Sequence, residues 1–277
     1  MTIVVTGATG HLGRAVVESL LDRGVPADEI LATGRNREKL AELRVPTRVA
    51  SYDDPESLRA AFAGADKVLF VSGNEVGKRI PQHRNVVDAA KAAGVGRVVY
   101  TSAPKADTSD MLLVTDHRET EKLLAASGMP TTFLRNGWYV ENYDLADALE
   151  RGLSGASGDG RISIAPRSDY AEAAAAALLL DDPKPVYELG GESVTLAELA
   201  AEVSRQSGRE VAYTDLSVAD YHDLLLGAGL PEEAATVFAD VHRATSEGAL
   251  EVRGDDLASL LGRPATPLAT AVKNALG

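Results

Sequence analysis

Cysteine is absent from this chain of 277 residues. Its absence excludes disulfides, thiolate catalysis and cysteine–metal sites. The histidines are few and scattered, and they lack the spacing of a metal-ligand pair: His11, His83, His117, His222 and His242. We therefore expect no metal site in this protein.

Positive charge is also scarce. The 28 lysines and arginines are outnumbered by 41 aspartates and glutamates, which gives a formal net charge of −13. Such a surface repels a phosphate backbone, so we expect no nucleic-acid partner. A phosphorylated cofactor is still compatible with this charge, because one or two local arginines suffice to bind it. A small molecule is thus the expected kind of ligand.

Long apolar runs are missing as well. The longest, residues 173–180, is far shorter than the roughly 20 residues that span a membrane, and it is typical of a buried helix. The first residues show no basic region followed by an apolar one, so we expect no signal peptide. Together these features predict a cytoplasmic protein that does not contact membranes.

Short apolar runs alternate with helical patterns through the first half of the chain. The predicted strands are 3–5, 29–33, 47–50, 67–71, 97–101 and 131–134, and the predicted helices are 12–23, 37–44, 55–63, 81–93 and 115–127. This alternation is typical of right-handed βαβ units. We therefore predict an α/β fold with a doubly wound parallel sheet of the Rossmann type.

A glycine-rich loop joins the first predicted strand to the first predicted helix. Gly7 allows the tight turn, Gly10 removes a Cβ that would keep a pyrophosphate away, and Gly13 lets the helix approach the strand. The free N–H groups at the helix start then face the phosphates. We predict a dinucleotide site formed by Gly7, Ala8, Thr9, Gly10, His11, Leu12 and Gly13. An ordinary glycine-rich turn is the alternative.

The end of the second predicted strand bears on the choice between NAD and NADP. An acid at this point would bind the ribose hydroxyls of NAD and repel a 2′-phosphate. The segment 31–37 reads LATGRNR and contains no acid; Arg35 lies about 20 residues after Gly13, as expected. A guanidinium group suits a phosphate, so we predict NADP, with Arg35 as its 2′-phosphate ligand. A solvated loop arginine is the alternative, and Arg37 is a weaker second candidate.

Several segments carry a family resemblance. They are TGATGHLG at 6–13, SGNEVG at 72–77, PQHRNV at 81–86 and LRNGWYVENY at 134–143. With these segments the chain resembles the NmrA-like atypical (extended) short-chain dehydrogenases, and within them the bacterial NADPH-dependent quinone and triphenylmethane reductases. The resemblance covers nearly the whole chain, and the segment 136–142 is its most specific part. It implies hydride transfer from NADPH, without flavin or metal.

After residue 135 the patterns become mostly helical. We predict helices at 195–207, 218–228, 231–241 and 255–261, an alanine-rich helix at 169–180, strands at 161–165 and 186–189, and one more strand at 211–214. The glycine-rich segment 152–160 is expected to be a flexible loop. We expect an NADP-binding Rossmann domain at 1–150 and a smaller, mostly helical lobe at 151–277. The resemblance implies that this lobe covers the substrate side, and that part of 161–191 returns to the first domain.

The helix predicted at 115–127 lacks the Tyr-x-x-x-Lys pair of standard short-chain dehydrogenases. Only His117 stands near the lysine position. Without that pair, proton exchange with an alcohol or carbonyl oxygen has no obvious donor. A quinone suits such a site, because its reduced oxygens are phenolates stable enough to take protons from water. His117 is a candidate proton relay or cofactor contact, and a structural histidine is the alternative.

The remaining candidate contacts to substrate and cofactor, beyond the glycine loop and Arg35, come from three segments. Aromatic residues make up 5% of the chain but are concentrated at 138–143, where Tyr139 and Asn142 are our candidates for holding a flat acceptor. A hydrophobic core corner is the alternative there. The candidates for contacts to the cofactor are Ser72, Gly73, Asn74, Trp138 and Arg167. The last of these faces the ligand cleft in the related enzymes.

Three functions are compatible with this sequence. The first is an NADPH-dependent quinone reductase with a small-molecule substrate. The second is an NADP-binding redox sensor without enzyme activity, since NmrA-like regulators share the fold and lack the Tyr–Lys pair. The third is a reductase for triarylmethane or azo dyes, which needs the same stacked geometry. The aromatic segment favours an enzyme over a sensor.

Overall fold

A computed structural model describes residues 1–75 and 77–277 of the chain. Val76, which belongs to the segment SGNEVG, lies outside the described residues. The strands are β1 (Ile3–Val5), β2 (Ile30–Gly34), β3 (Thr47–Val49), β4 (Lys67–Phe70), β5 (Arg97–Ser102), β6 (Thr131–Asn136), β7 (Trp138–Tyr139), β8 (Leu153–Gly155), β9 (Ile162–Ala165), β10 (Val186–Leu189), β11 (Glu192–Val194) and β12 (Tyr213–Asp215). The helices are α1 (His11–Asp22), α2 (Arg37–Ala41), α3 (Pro55–Phe62), α4 (Arg79–Ala92), α5 (Leu112–Ala126), α6 (Leu145–Arg151), α7 (Arg167–Leu179), α8 (Leu196–Ser207), α9 (Val218–Gly227), α10 (Glu232–Ser246), α11 (Asp256–Leu261) and α12 (Leu268–Leu276).

Within the described residues, a seven-stranded parallel sheet forms the frame of the molecule. Its order is β10-β6-β5-β4-β1-β2-β3, and helices cover both of its faces. The predicted doubly wound Rossmann fold is therefore confirmed. The strand order reverses between β1 and β4, and ligands of such sheets bind beyond the carboxyl ends of the strands at this point.

Two apolar layers hold the helices against this sheet. On one face α1 buries Val16, Val17 and Leu20 against the sheet and against α7. The predicted alanine-rich helix is this α7, whose small side chains from Ala173 to Ala175 are almost fully buried. On the other face α3, α4 and α5 cover β4 and β5. These layers bury the strands β1 and β4, whose carboxyl ends form the edge at which a site is expected.

The later part of the chain adds a second core. Strands β11, β9 and β7 form a small sheet, and α6, α8 and α12 pack around it. Strand β10 nevertheless lies at the edge of the large sheet, beside β6, and α7 packs against α1. The division into 1–150 and 151–277 stays a prediction. No helix of the described residues has both the length and the apolar character that crossing a membrane requires.

The segment 152–160 is not the flexible loop that its glycines suggest. It contains β8, which pairs in parallel with β12, and Ser157 in the same segment is buried. The glycines are required for close approach: a Cβ on Gly155 would lie 2.7 Å from the His242 ring, and one on Gly152 would lie 2.7 Å from the Ala212 carbonyl oxygen. The sequence analysis also missed β7, β11, α6 and α12, none of which is longer than nine residues.

Candidate active site

A cleft of about 350 Å³ opens at the carboxyl ends of β1, β2 and β4. Of the residues proposed from the sequence to bind the cofactor, its lining includes Gly7, Thr9, Gly10, His11, Leu12, Gly13, Arg35, Ser72, Gly73, Asn74 and Arg167. The described lining does not include Ala8, Trp138, Tyr139, Asn142 or His117. Residues that the sequence analysis did not propose for the site also line the cleft, among them Tyr52 and Gln82.

The glycine loop has the shape that its spacing predicts. Gly7 has a φ of +62°, which favours glycine, and its carbonyl accepts the Gly10 N–H at 2.9 Å. A Cβ on Gly13 would lie 2.7 Å from the Gly7 carbonyl carbon, so α1 approaches the loop as closely as the backbone permits. Gly10 is the N-cap of α1 and carries no side chain that could cap it. The first turn of α1 is thus available to an anion.

An ion pair crosses the mouth of this cleft. Arg35, at the end of β2, places Nη1 2.5 Å from Oε1 of Glu75, which follows β4. The hydrogen bond from Arg35 lowers the pKa of Glu75, and the Lys78 ammonium group lies 3.5 Å from the same carboxylate. A carboxylate therefore stands beside the group proposed to bind phosphate. Sequence reasoning missed the pairing of this carboxylate with Arg35, because it tested only the end of β2 for an acid.

Arg167 enters the cleft from the first turn of α7. Its guanidinium carbon lies 5.4 Å from the centre of the Tyr139 ring, and its backbone N–H donates to both carboxylate oxygens of Glu141 at 3.0 Å. Arg167 therefore connects the cleft to the aromatic segment, with Tyr139 directly behind it. Burial raises the pKa of Tyr139, so its hydroxyl stays protonated.

Two buried polar atoms, one in the aromatic segment and one just before it, lack hydrogen-bond partners among the described residues. The Asn136 side chain donates to the Tyr139 hydroxyl at 3.0 Å. Within the part of the chain that is described, Asn136 Oδ1 and Trp138 Nε1 are buried and have no hydrogen-bond partner. Such groups are uncommon in folded proteins, and one explanation is a site that a ligand completes. Trp138 itself packs against the second core, and Asn142 is exposed.

His117 is buried on the α5 side of the sheet. Its Nδ1 lies 2.9 Å from the hydroxyl of Tyr100, a residue with no exposed surface. Burial lowers the pKa of His117 to about 3, helped by the nearby Arg79, so the ring is neutral at ordinary pH. This geometry is that of the structural alternative considered for His117.

The fold and the cleft together define a nucleotide-binding scaffold of the Rossmann class. Residues 7–182 match the family described as NAD(P)H-binding. Quinone oxidoreductase 2 of Escherichia coli K12 is 48% identical in an alignment 280 positions long, which covers 98% of each chain. The chain therefore belongs to the NAD(P)H-binding family, and it is a close homologue of that quinone oxidoreductase.

Solved structures agree with this relationship. The NADPH-dependent quinone oxidoreductase QOR2 of E. coli, complexed with NADPH, has a TM-score of 0.95 and 46% identity, with 100% of both chains covered. The triphenylmethane reductase of Citrobacter sp., complexed with NADP(H), has a TM-score of 0.92 and 38% identity, with 99% of this chain and 100% of that chain covered. The resemblance stated from the sequence is thus confirmed.

Proposed function

We propose that this protein is an NADPH-dependent reductase that transfers a hydride to a quinone or a similarly flat conjugated acceptor. The observation that carries the proposal is the cleft itself. The three glycines of the loop, Arg35 and Arg167 meet at the carboxyl edge of the sheet. The relationship to a quinone oxidoreductase at 48% identity supports the choice of acceptor.

The cleft fits a nicotinamide dinucleotide with an additional phosphate. The close approach of Gly13 and Gly7 leaves the start of α1 open to a pyrophosphate. The exposed guanidinium of Arg35 suits a 2′-phosphate, although that phosphate must compete with Glu75 for it. NADPH, when bound, supplies the hydride.

Positioning of the acceptor is the contribution that we propose for the segment 136–142. The orphaned Asn136 Oδ1 and Trp138 Nε1 supply an acceptor and a donor for hydrogen bonds, and Tyr139 and Asn142 add flat and polar surface. Hydride transfer to a quinone leaves a phenolate, which takes its proton from water. We therefore assign no obligatory proton transfer to His117, and its hydrogen bond to Tyr100 supports a structural role.

The proposal is tested by anaerobic NADPH oxidation with a panel of quinones, triarylmethane and azo dyes, and simple ketones. We expect turnover with the quinones and none with the ketones, because the site lacks the Tyr–Lys pair that polarises a carbonyl. Turnover of the dyes alone would identify a dye reductase. NADPH binding without turnover of any acceptor would identify a redox sensor and would refute the proposed reaction.

A further inference from the structure

The segment PQHRNV at 81–86 lies on α4. Its side chains form hydrogen bonds with the two loops that flank the cleft, one after β3 and one after β4. On one wall, Gln82 Nε2 donates to both Asp53 carboxylate oxygens at 3.1 Å, and Asn85 Nδ2 donates to the Tyr52 carbonyl at 2.9 Å. On the other wall, His83 Nε2 lies 2.9 Å from the Gly73 nitrogen. One helix thus fixes the distance between the two walls.

The peptide groups of Gly73 are held from both sides. Its N–H points at His83, and its carbonyl accepts a hydrogen bond of 2.6 Å from Nε of Arg79, which is also buried. A Cβ at this position would lie 3.3 Å from His83 Nε2, so a glycine accommodates the close approach. Gly73 and its neighbours Ser72 and Asn74 line the cleft.

The directions of the hydrogen bonds fix the tautomer of His83. The Gly73 N–H can only donate, so His83 Nε2 must be the unprotonated nitrogen. At the other end, the Thr120 hydroxyl donates to the Asp116 carbonyl at 2.8 Å. The oxygen of Thr120 must then accept from His83 Nδ1, which lies 2.7 Å away. His83 is therefore neutral and carries its proton on Nδ1.

We propose that His83, in this tautomer, is a positioning residue of the cofactor site: it sets the orientation of the Gly73 peptide and, through it, the wall formed by Ser72 and Asn74. The ring is fully buried, and both of its nitrogens are bonded. The ligand in this inference is the NADPH of the proposed function. The tautomer does not depend on that function.

A purely structural histidine is the competing explanation, because the ring also fills space. It lies 4.8 Å from the centre of the Phe70 ring and 5.9 Å from that of Tyr100. Two amide variants separate the explanations. A glutamine can place its oxygen where Nε2 stands and accept from Gly73, whereas an asparagine reaches only the position of Nδ1 and Thr120. Both variants lack the ring.

The experiment measures NADPH dissociation constants and thermal unfolding for the wild type, His83→Gln and His83→Asn, without acceptor. We expect His83→Gln to bind within about threefold of the wild type and His83→Asn to bind about 5- to 30-fold more weakly, at similar melting temperatures. Equal affinities in the two variants, or reductions in affinity that only follow their reduced stability, would overturn the positioning role.

A measurement on the wild type stands beside the variants in case they fail to fold. Nitrogen-15 NMR of the histidine rings should show His83 protonated on Nδ1 and unprotonated on Nε2 from pH 5 to 8. A proton on Nε2 would contradict the inference. Failure of the wild type to bind NADPH would refute the proposed function instead, and the ring spectrum would still decide the tautomer.

Discussion

The substitution Arg35→Ala tests the origin of cofactor preference. Arg35 is exposed at the cleft mouth and pairs with Glu75 at 2.5 Å. Removing the guanidinium deletes the proposed interaction with the 2′-phosphate and leaves the Glu75 carboxylate near the same place. We therefore expect NADPH to bind much more weakly, while NADH, which has no 2′-phosphate, binds nearly as before.

The size of the effect follows from the chemistry of the guanidinium–phosphate interaction. One hydrogen bond between charged groups contributes about 1.5–3 kcal/mol, which corresponds to roughly 10- to 150-fold in the dissociation constant. The Glu75 carboxylate, left without Arg35, repels the 2′-phosphate and should move the loss of NADPH affinity towards the upper part of this range. Its neighbour Lys78, 3.5 Å away, neutralises part of the carboxylate charge and limits that addition.

The assay is titration of both cofactors by nucleotide fluorescence or calorimetry, at fixed salt because screening weakens exposed charge interactions. Arg37→Ala is the matched control. Arg37 has the same charge two residues further on, at the start of α2, and is not among the described residues that line the cleft. We expect less than about a threefold change for either cofactor in this control, since long-range charge effects are screened.

Two results would refute the reasoning. Equal reductions in affinity for NADPH and NADH in Arg35→Ala would show that Arg35 supports the cleft in general and does not read the phosphate. Equal reductions in NADPH affinity in Arg35→Ala and Arg37→Ala would show that the net charge of the region matters and that Arg35 makes no specific interaction.

Two further predictions concern the site and a third concerns the buried His117. Glu75→Gln removes the anion that competes with the 2′-phosphate for Arg35, so NADPH should bind a few-fold more tightly while the affinity for NADH stays unchanged. Weaker NADPH binding in titrations of this variant would show that Glu75 does not compete with the phosphate. Asn142→Ala should lower quinone turnover without weakening NADPH binding, which steady-state kinetics and cofactor titration will measure. A parallel drop in NADPH affinity would show that this residue contacts the cofactor. The pKa of His117, lowered to about 3 by burial, lies below its unfolded value of about 6.5, so the unfolded state binds the extra proton between these limits. The free energy of unfolding should therefore fall as pH drops from about 6.5 towards 3, by up to about 1.4 kcal/mol per pH unit for this one group. Denaturant titrations at several pH values should show a smaller dependence of this free energy on pH in His117→Gln. An unchanged pH dependence would show that the ring is not buried as a neutral group.

Sequence alone determined the parts of the site that depend on near neighbours. The glycines at 7, 10 and 13 act on one turn and one helix end, so their spacing is enough to predict the loop. The alternation of short strands and helices predicted the parallel sheet, because each βαβ unit has only one favourable hand. The alanine-rich pattern of α7 likewise predicted a buried helix, which the structure confirms.

Tertiary structure decided what depends on distant residues. Glu75 meets Arg35 across 40 positions, and no local pattern marks that pairing. The glycines at 152 and 155 suggested flexibility, whereas they make room for the Ala212 backbone and the His242 ring. His117 stands near the lysine position of the missing Tyr–Lys pair, and only the folded structure shows that its ring meets the buried Tyr100. Local spacing fixes backbone shape through short-range sterics and hydrogen bonds, whereas the partner of a charged or polar side chain is set by which strands the folded sheet brings side by side.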